Sequence, residues 1–377
     1  MAQGSLTTRQ DCEDLVRGCT IYGTGGGGDP KLGLERLYAA LDAGTKIGWV
    51  DLASIPDDAW TCTAFMMGSI APLTEETERE MERFGLQPGT FVGTIGEAIK
   101  ELGAYAGVDI SALVAVELGG LNTIEPLVFG AELGIPVVDG DYAGRAVPEE
   151  AQCTPYIYGK TSYPQASVDQ WGNIVIVKQA ANPFMLERVG KYISMAAFVG
   201  VSLAGTLLQG NEMKEAVVEG TITKSLGLGR VVREARERGD DPVQAAVEYT
   251  GGWLLFEGKV SEKEWEDRDG YMFGTTHIAG SGPFAGKKMD IWFENENLVS
   301  WLDGEPFVCS PDLVAVIDRE TGEGYTNTDL DAGHKVAVLG IKGLEVYRTE
   351  RGLAAAGPRY FGFDIDYKPI EDIMAEG

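Results

Sequence analysis

The stretch that decides the fold is residues 112–141, which read ALVAVELGGLNTIEPLVFGAELGIPVVDGD. An apolar run at 112–118 is followed by a pattern of helical spacing at 124–133 and a second apolar run at 135–138. Because parallel strands need a long connection, this order predicts two strands joined by a crossover helix. The stretch therefore indicates a parallel sheet covered by helices.

The same alternation continues toward the N-terminus, whereas the C-terminal third has a different pattern. Helical spacing recurs at 34–41 and 95–102, and strand-like runs occur at 47–55 and 63–70. From residue 253 onward, period-two runs at 288–293, 313–318, 335–339 and 343–347 predict antiparallel strands. We predict an α/β fold in which a parallel, helix-covered sheet domain is joined to a second, mainly antiparallel and barrel-like β domain.

We predict the domain boundaries from these changes of pattern. Residues 1–165 form the α/β domain, and a helical segment at 182–250 packs on it. Residues 166–181 and 251–377 form the β domain, because 171–178 also alternates like a strand.

Composition excludes several classes of protein. The 377 residues carry 31 Lys and Arg against 58 Asp and Glu, a net charge of −27, which disfavours nucleic acid and anionic membranes as partners. Five scattered cysteines indicate neither a disulfide framework nor a thiol-rich zinc site. The longest apolar run, 193–208, is too short to span a membrane, and the first residues do not resemble a signal peptide. We expect a cytoplasmic protein.

The most distinctive motif is the glycine loop, residues 23–29, which read GTGGGGD and precede Pro30 and a predicted helix. Glycines permit close ligand approach, and free amides at a helix start favour an anion or a developing oxyanion. The loop also satisfies Gly-x-Gly-x-x-Gly, and Asp51 lies where a ribose-binding acid would be, so a dinucleotide site is an alternative. Asp29 counts against a pyrophosphate there, and a plain turn with Asp29 as helix cap is a third interpretation.

Polar residues follow several predicted strands, and a parallel sheet would bring them to one rim. We predict that these groups form one pocket for a small-molecule substrate. The predicted substrate-binding residues are Gly25, Gly26, Gly27, Gly28, Asp29, Ser69, Asn122, Arg145 and Glu149.

The predicted catalytic residues are acids, one histidine and one cysteine. Asp139 and Asp141 are spaced to hold a divalent metal or to act as a general base, although a simple turn is the alternative. Glu117 or His277 would act as the acid, and Arg145 would bind a substrate carboxylate unless it forms a surface ion pair.

Histidine and cysteine are scarce. With only two histidines, a multi-histidine zinc site is impossible. Cys153 is a candidate nucleophile, although lone cysteines are more often inert and buried.

Taken in order, the motifs resemble the S-methyl-thiohydantoin desulfurase-like family, which is associated with hydantoinase and oxoprolinase proteins. They lie at 23–30, 67–72, 117–126, 136–149, 293–298, 311–313 and 357–362. The resemblance implies an α/β domain plus a barrel-like β domain, and hydrolysis of an S-methylated thiohydantoin to a hydantoin and methanethiol. It implies no residue roles.

Two rival functions remain open at this point. The glycine loop with Asp51 fits a nucleotide-binding enzyme. The family association fits a non-catalytic subunit of a hydantoinase-like assembly, so either such a partner or a homo-oligomer is a possible state. No cofactor is specified, although a divalent metal is a possibility.

Overall fold

The computed structural model describes residues 4–71, 73–86, 93–198 and 200–376. Pro72, the last residue of the motif at 67–72, lies outside these ranges. The described chain forms two seven-stranded sheets and one small two-stranded sheet. None of its helices combines the length and apolar character that a membrane crossing requires.

The strands in the described ranges are β1 (Gly4–Leu6), β2 (Ile47–Trp49), β3 (Trp60–Met67), β4 (Ile110–Ala115), β5 (Val137–Asp141), β6 (Gln165–Val168), β7 (Ile174–Val177), β8 (Val201–Gln209), β9 (Val218–Glu219), β10 (Trp253–Arg268), β11 (Tyr271–Gly280), β12 (Lys288–Glu294), β13 (Glu296–Leu302), β14 (Glu305–Cys309), β15 (Leu313–Asp318) and β16 (Lys335–Ile341).

The α-helices in the same ranges are α1 (Arg9–Tyr22), α2 (Pro30–Asp42), α3 (Glu75–Arg83), α4 (Thr94–Ala106), α5 (Ile124–Leu133), α6 (Thr154–Ile157), α7 (Pro183–Ala196), α8 (Gly210–Ala216), α9 (Thr221–Arg238), α10 (Pro242–Thr250), α11 (Glu350–Ala356) and α12 (Ile370–Glu376).

The first sheet has the order β7-β6-β8-β3-β4-β5-β9. Its centre is parallel, because β3 pairs with β4 and β4 pairs with β5 in that sense, and its other pairs are antiparallel. The strands β6 and β7 belong to this sheet, so assigning residues 166–181 to the β domain was wrong. The segment predicted as helical at 182–250 also contributes a strand, β8, beside β3.

The second sheet has the order β14-β13-β12-β11-β10-β16-β15, with antiparallel pairs. The predicted fold class, a sheet with parallel strands plus a mainly antiparallel β domain, is confirmed. Residues 343–347 are not a strand, because a short 3-10 helix, Glu345–Arg348, occupies that position.

Close packing of α1 against α9 fixes the position of the glycine loop that follows α1. Gly229 of α9 lies so near α1 that an added Cβ would be 1.7 Å from the carbonyl oxygen of Asp14. A side chain there would force the helices apart. Residues 19–22 are the end of α1 and not a strand, so the loop lacks the preceding strand that a dinucleotide fingerprint requires.

Candidate active site

A cavity of about 420 Å³ lies at the carboxyl ends of β3 and β4. The segments that follow these strands supply Ser69 and Glu117, and α7 adds Glu187 and Lys191. The second sheet forms one side of the cavity where β12 is joined to β13, with Asn295 between the strands and Glu296 at the start of β13 in the wall. The cavity is therefore built from both sheets.

The glycine loop forms one wall and holds its neighbours through backbone contacts. The carbonyl oxygen of Gly27 accepts hydrogen bonds from the amides of Leu121 (3.0 Å) and Asn122 (3.1 Å). Gly27 has φ +78°, and an added Cβ would lie 2.4 Å from Gly119 Cα. Glycine is required here by both the backbone angle and the space. Asp29 also lines the cavity, and its side chain caps α2 by accepting from the Lys31 amide at 2.8 Å.

Glu117 is held in the cavity through both of its carboxyl oxygens. Asn122 donates to its Oε1 at 2.7 Å, and the amide of Val147 donates to its Oε2 at 2.8 Å. The Met66 amide in turn donates to Asn122 Oδ1 at 3.3 Å. Burial raises the pKa of Glu117 to about 7, although both hydrogen bonds oppose the rise. A carboxyl with this pKa can accept and release a proton near neutral pH.

Further acids surround the single ammonium group on α7. Lys191 lies 3.8 Å from Glu187 Oε1, and its Nζ is 4.0 Å from the centre of the Tyr271 ring. Glu187 accepts hydrogen bonds from the Tyr271 hydroxyl and the Glu150 amide at 3.2 and 2.9 Å. The ammonium group of Lys191 therefore interacts with both the Glu187 carboxylate and the Tyr271 ring.

Several of these acids have raised pKa values because they are buried together. Burial, with Glu187 as the next cause, raises the pKa of Glu149 to about 7 and that of Glu150 to about 8. Burial first and the charge of Glu117 second raise the pKa of Glu296 well above its ordinary value.

The structure brings most of the predicted rim together. Gly25, Gly26, Gly27, Gly28, Asp29, Ser69, Glu117, Asn122, Glu149 and Cys153 line the cavity. Cys153 donates from Sγ to the Val116 carbonyl at 3.7 Å, and burial raises the pKa of its thiol well above the usual range, with Glu117 as the next cause. This environment favours a neutral thiol over a thiolate.

Asp139 and Asp141 do not line the cavity, and their predicted metal and base roles need correction. Asp139 accepts from the amide and hydroxyl of Thr223 at the start of α9, at 3.0 and 2.5 Å. One Asp141 oxygen accepts from the amides of Ala143 and Gly144, both at 2.6 Å, as in a tight turn. Among the residues the structure describes, no group of three or more His, Cys, Asp or Glu is placed to hold a metal ion.

Arg145 and His277 also lie elsewhere, so their predicted site roles need correction. Arg145 is buried between the sheets and donates to carbonyl oxygens of Ala146, Pro311, Asp312 and Asn297 and to the Thr24 hydroxyl. These bonds use the N–H groups of the guanidinium, so no free pair of N–H groups remains for a substrate carboxylate. His277, on β11, pairs with Asp290 across to β12, with Nδ1 2.6 Å from Oδ1.

Sequence reasoning missed the cavity residues that arrive from distant segments. Glu187 and Lys191 are one helical turn apart on α7, but nothing in the local pattern shows that this face is buried. Glu296 lies in the motif at 293–298, which could have marked it. The missed residues with ionisable side chains include Arg36, Glu125, Glu150, Glu187, Lys191 and Glu296.

Family models match the chain over two adjoining stretches. The S-Me-THD-like, N-terminal domain matches residues 10–179, and the S-Me-THD-like, C-terminal domain matches residues 181–370. The chain belongs to the S-Me-THD-like family. The membership confirms the resemblance seen in the sequence motifs.

A solved structure shares the fold of this family member. It is the crystal structure of a protein from Chromobacterium violaceum, a target of the Northeast Structural Genomics Consortium. The two chains superpose with a TM-score of 0.75 at 21% identity, over 97% of this chain and 100% of the other. No curated protein matches the chain.

Proposed function

We propose that the protein is a hydrolase of five-membered cyclic urea or imide rings, with an S-methyl-thiohydantoin as substrate and methanethiol and a hydantoin as products. The observation that carries the proposal is Glu117, a buried carboxyl with a pKa of about 7 that lines the cavity. The family name supports the substrate class.

In the proposed reaction, Glu117 acts first as base and then as acid. Its carboxylate takes a proton from water while the water oxygen bonds to the ring carbon that carries the methylthio group. The electron pair of the ring C=N bond moves onto nitrogen, where amides of the glycine loop would stabilise the charge. When that pair returns, the C–S bond breaks, and methanethiolate takes the proton from Glu117. The hydroxylated ring is a tautomer of the hydantoin, so the atoms of one water are accounted for.

Asn122 is a positioning residue in this proposal. Its amide nitrogen holds Glu117 Oε1, and its amide oxygen is held in turn by the Met66 amide. Asn122 thereby fixes one oxygen of the Glu117 carboxyl and orients that group.

The central experiment measures thiol release from S-methyl-thiohydantoin propionate by the purified protein. We expect Glu117→Gln to lower kcat/KM by about 10²- to 10⁴-fold, because the amide cannot exchange the proton. Asp139→Asn is the matched control, since Asp139 lies outside the cavity and the asparagine oxygen can still accept from the Thr223 amide. Normal turnover by Glu117→Gln would remove Glu117 from the mechanism.

The same assay tests the other functions and routes. Failure of the wild-type protein to release thiol, with activity restored by a co-purifying partner, would favour the non-catalytic subunit. Cys153→Ser distinguishes direct attack by water from a covalent route, because only the covalent route loses its nucleophile. Direct attack predicts a loss of less than about tenfold, and a loss similar to that of Glu117→Gln would favour the covalent route.

A further inference from the structure

Arg36 of α2 is a cavity cation that pairs with Glu125 but whose Nε forms no hydrogen bond with the residues described. Its side chain lines the cavity wall and is 12% exposed. Its Nε lies 3.5 Å from Glu125 Oε1 without forming a hydrogen bond. Neither oxygen of Glu125, nor the Nε of Arg36, has a hydrogen-bond partner among the residues described.

Such unpaired groups are rare inside proteins, because a buried polar group that loses water and gains no partner is destabilising. A guanidinium in this state favours a planar anion, since its fork matches the two oxygens of a carboxylate. The pair at Arg36 and Glu125 thus has the properties of a site completed by a ligand.

The other cations near the cavity are already engaged. Lys191 donates a hydrogen bond to the Gly68 carbonyl at 3.5 Å, pairs with Glu187 and lies over the Tyr271 ring. Lys31 is exposed and pairs with Asp329 at 2.7 Å. Arg145 lies outside the cavity wall and is bonded to the second sheet. Arg36 is therefore the best-placed group for an anion in a cavity that otherwise has many acids.

We propose that Arg36 binds a carboxylate on the ring substituent of the substrate and selects anionic substrates over uncharged ones. The inference rests on the proposed function for the identity of the ring. It assigns to Arg36 the specificity role that the sequence pattern suggested for Arg145. Glu125 opposes this binding through its negative charge, so the two residues have opposite effects on affinity.

The test uses equilibrium binding, which does not depend on turnover. The probes are hydantoin-5-propionate and its uncharged propionamide, titrated calorimetrically into the full-length protein. We expect the wild-type protein to bind the acid at least tenfold more tightly than the amide. Arg36→Gln should weaken binding of the acid by about 10- to 100-fold and leave the amide unchanged.

Two further variants separate a binding role from a structural one. Glu125→Gln should tighten binding of the acid alone, an effect that damage to the fold would not produce. Arg9→Gln, at an exposed arginine paired with Asp42, makes the same change of charge elsewhere and should have no effect. Equal affinities of the wild-type protein for acid and amide, no binding, or an unchanged preference in Arg36→Gln would overturn the proposal. Selective binding without methanethiol release would instead contradict the proposed reaction alone.

Discussion

At the scale of single residues, Arg145 shows how a buried charge can be structural. Its five hydrogen bonds join the segment after β5 to the glycine loop and to the second sheet. We expect Arg145→Met to lower the free energy of unfolding by about 3 kcal/mol or more, because several buried carbonyl oxygens lose their donor. Denaturant unfolding of the variant measures this loss. A raised KM with unchanged stability would restore Arg145 as a substrate ligand.

Glu117 makes a second prediction, on the pH dependence of the rate. In the proposed reaction the free enzyme must begin with the carboxylate of Glu117, whose pKa burial raises to about 7. We therefore expect kcat/KM to rise with pH and to level off above about pH 7.5. A pH–rate profile of thiol release measures this. A rate that falls through pH 7 would instead indicate that protonated Glu117 starts the reaction.

At the scale of elements, the glycine loop depends on contact as well as on backbone freedom. Gly27 and Gly44 have nearly the same φ, +78° and +77°, but only Gly27 faces another backbone, at Gly119. We expect Gly44→Ala to lower the free energy of unfolding by about 1 kcal/mol, because of backbone strain alone. Gly27→Ala should lower the free energy of unfolding by clearly more than Gly44→Ala does. It should also reduce turnover, because the loop must move away from residues 119–122. Equal losses of stability in thermal unfolding would contradict this account.

Local pattern was sufficient for elements whose periodicity is strong. The spacing at 124–133 predicted α5, and the alternation at 313–318 predicted β15. It failed where partners are distant in sequence. The alternation near 171–178 revealed a strand but could not show that β7 pairs with β6 in the first sheet. The run at 193–208 changes from α7 to β8, and a largely apolar segment has no clear period that would locate the change.

Only the part of the candidate site that the first sheet supplies could be predicted from the sequence. The rule that strand ends meet at one rim correctly grouped Ser69, Glu117 and Asn122 with the glycine loop. The same rule wrongly added Asp139, because this residue lies in the middle of β5 and its carboxylate accepts from the Thr223 amide at the start of α9. Lys191 and Glu296 reach the cavity through packing between distant elements, which no local spacing encodes.

At the scale of the whole molecule, crowded acids should make stability fall as pH rises. Burial raises the pKa of Glu117, Glu125 and Glu149 to about 7 and that of Glu150 to about 8. Between about pH 4.5 and these values, the native chain holds protons that the unfolded chain has released, so increasing pH favours unfolding. The net charge of −27 acts in the same direction, since repulsion among the acids grows as they ionise.

We therefore expect a higher melting temperature at pH 5 than at pH 8. Some acids act in the opposite direction, but only below about pH 4. Burial alone would raise the pKa of Asp11, but its hydrogen bonds from Thr7 and Thr8 together lower it. Calorimetric scans at constant ionic strength measure the difference, and Glu150→Gln should reduce the slope because one buried proton no longer titrates. Glu320→Gln, at a side chain 71% exposed, is the control and should leave the slope unchanged. A melting temperature that stays level or rises between pH 5 and pH 8 would show that the buried acids are ionised in the native protein.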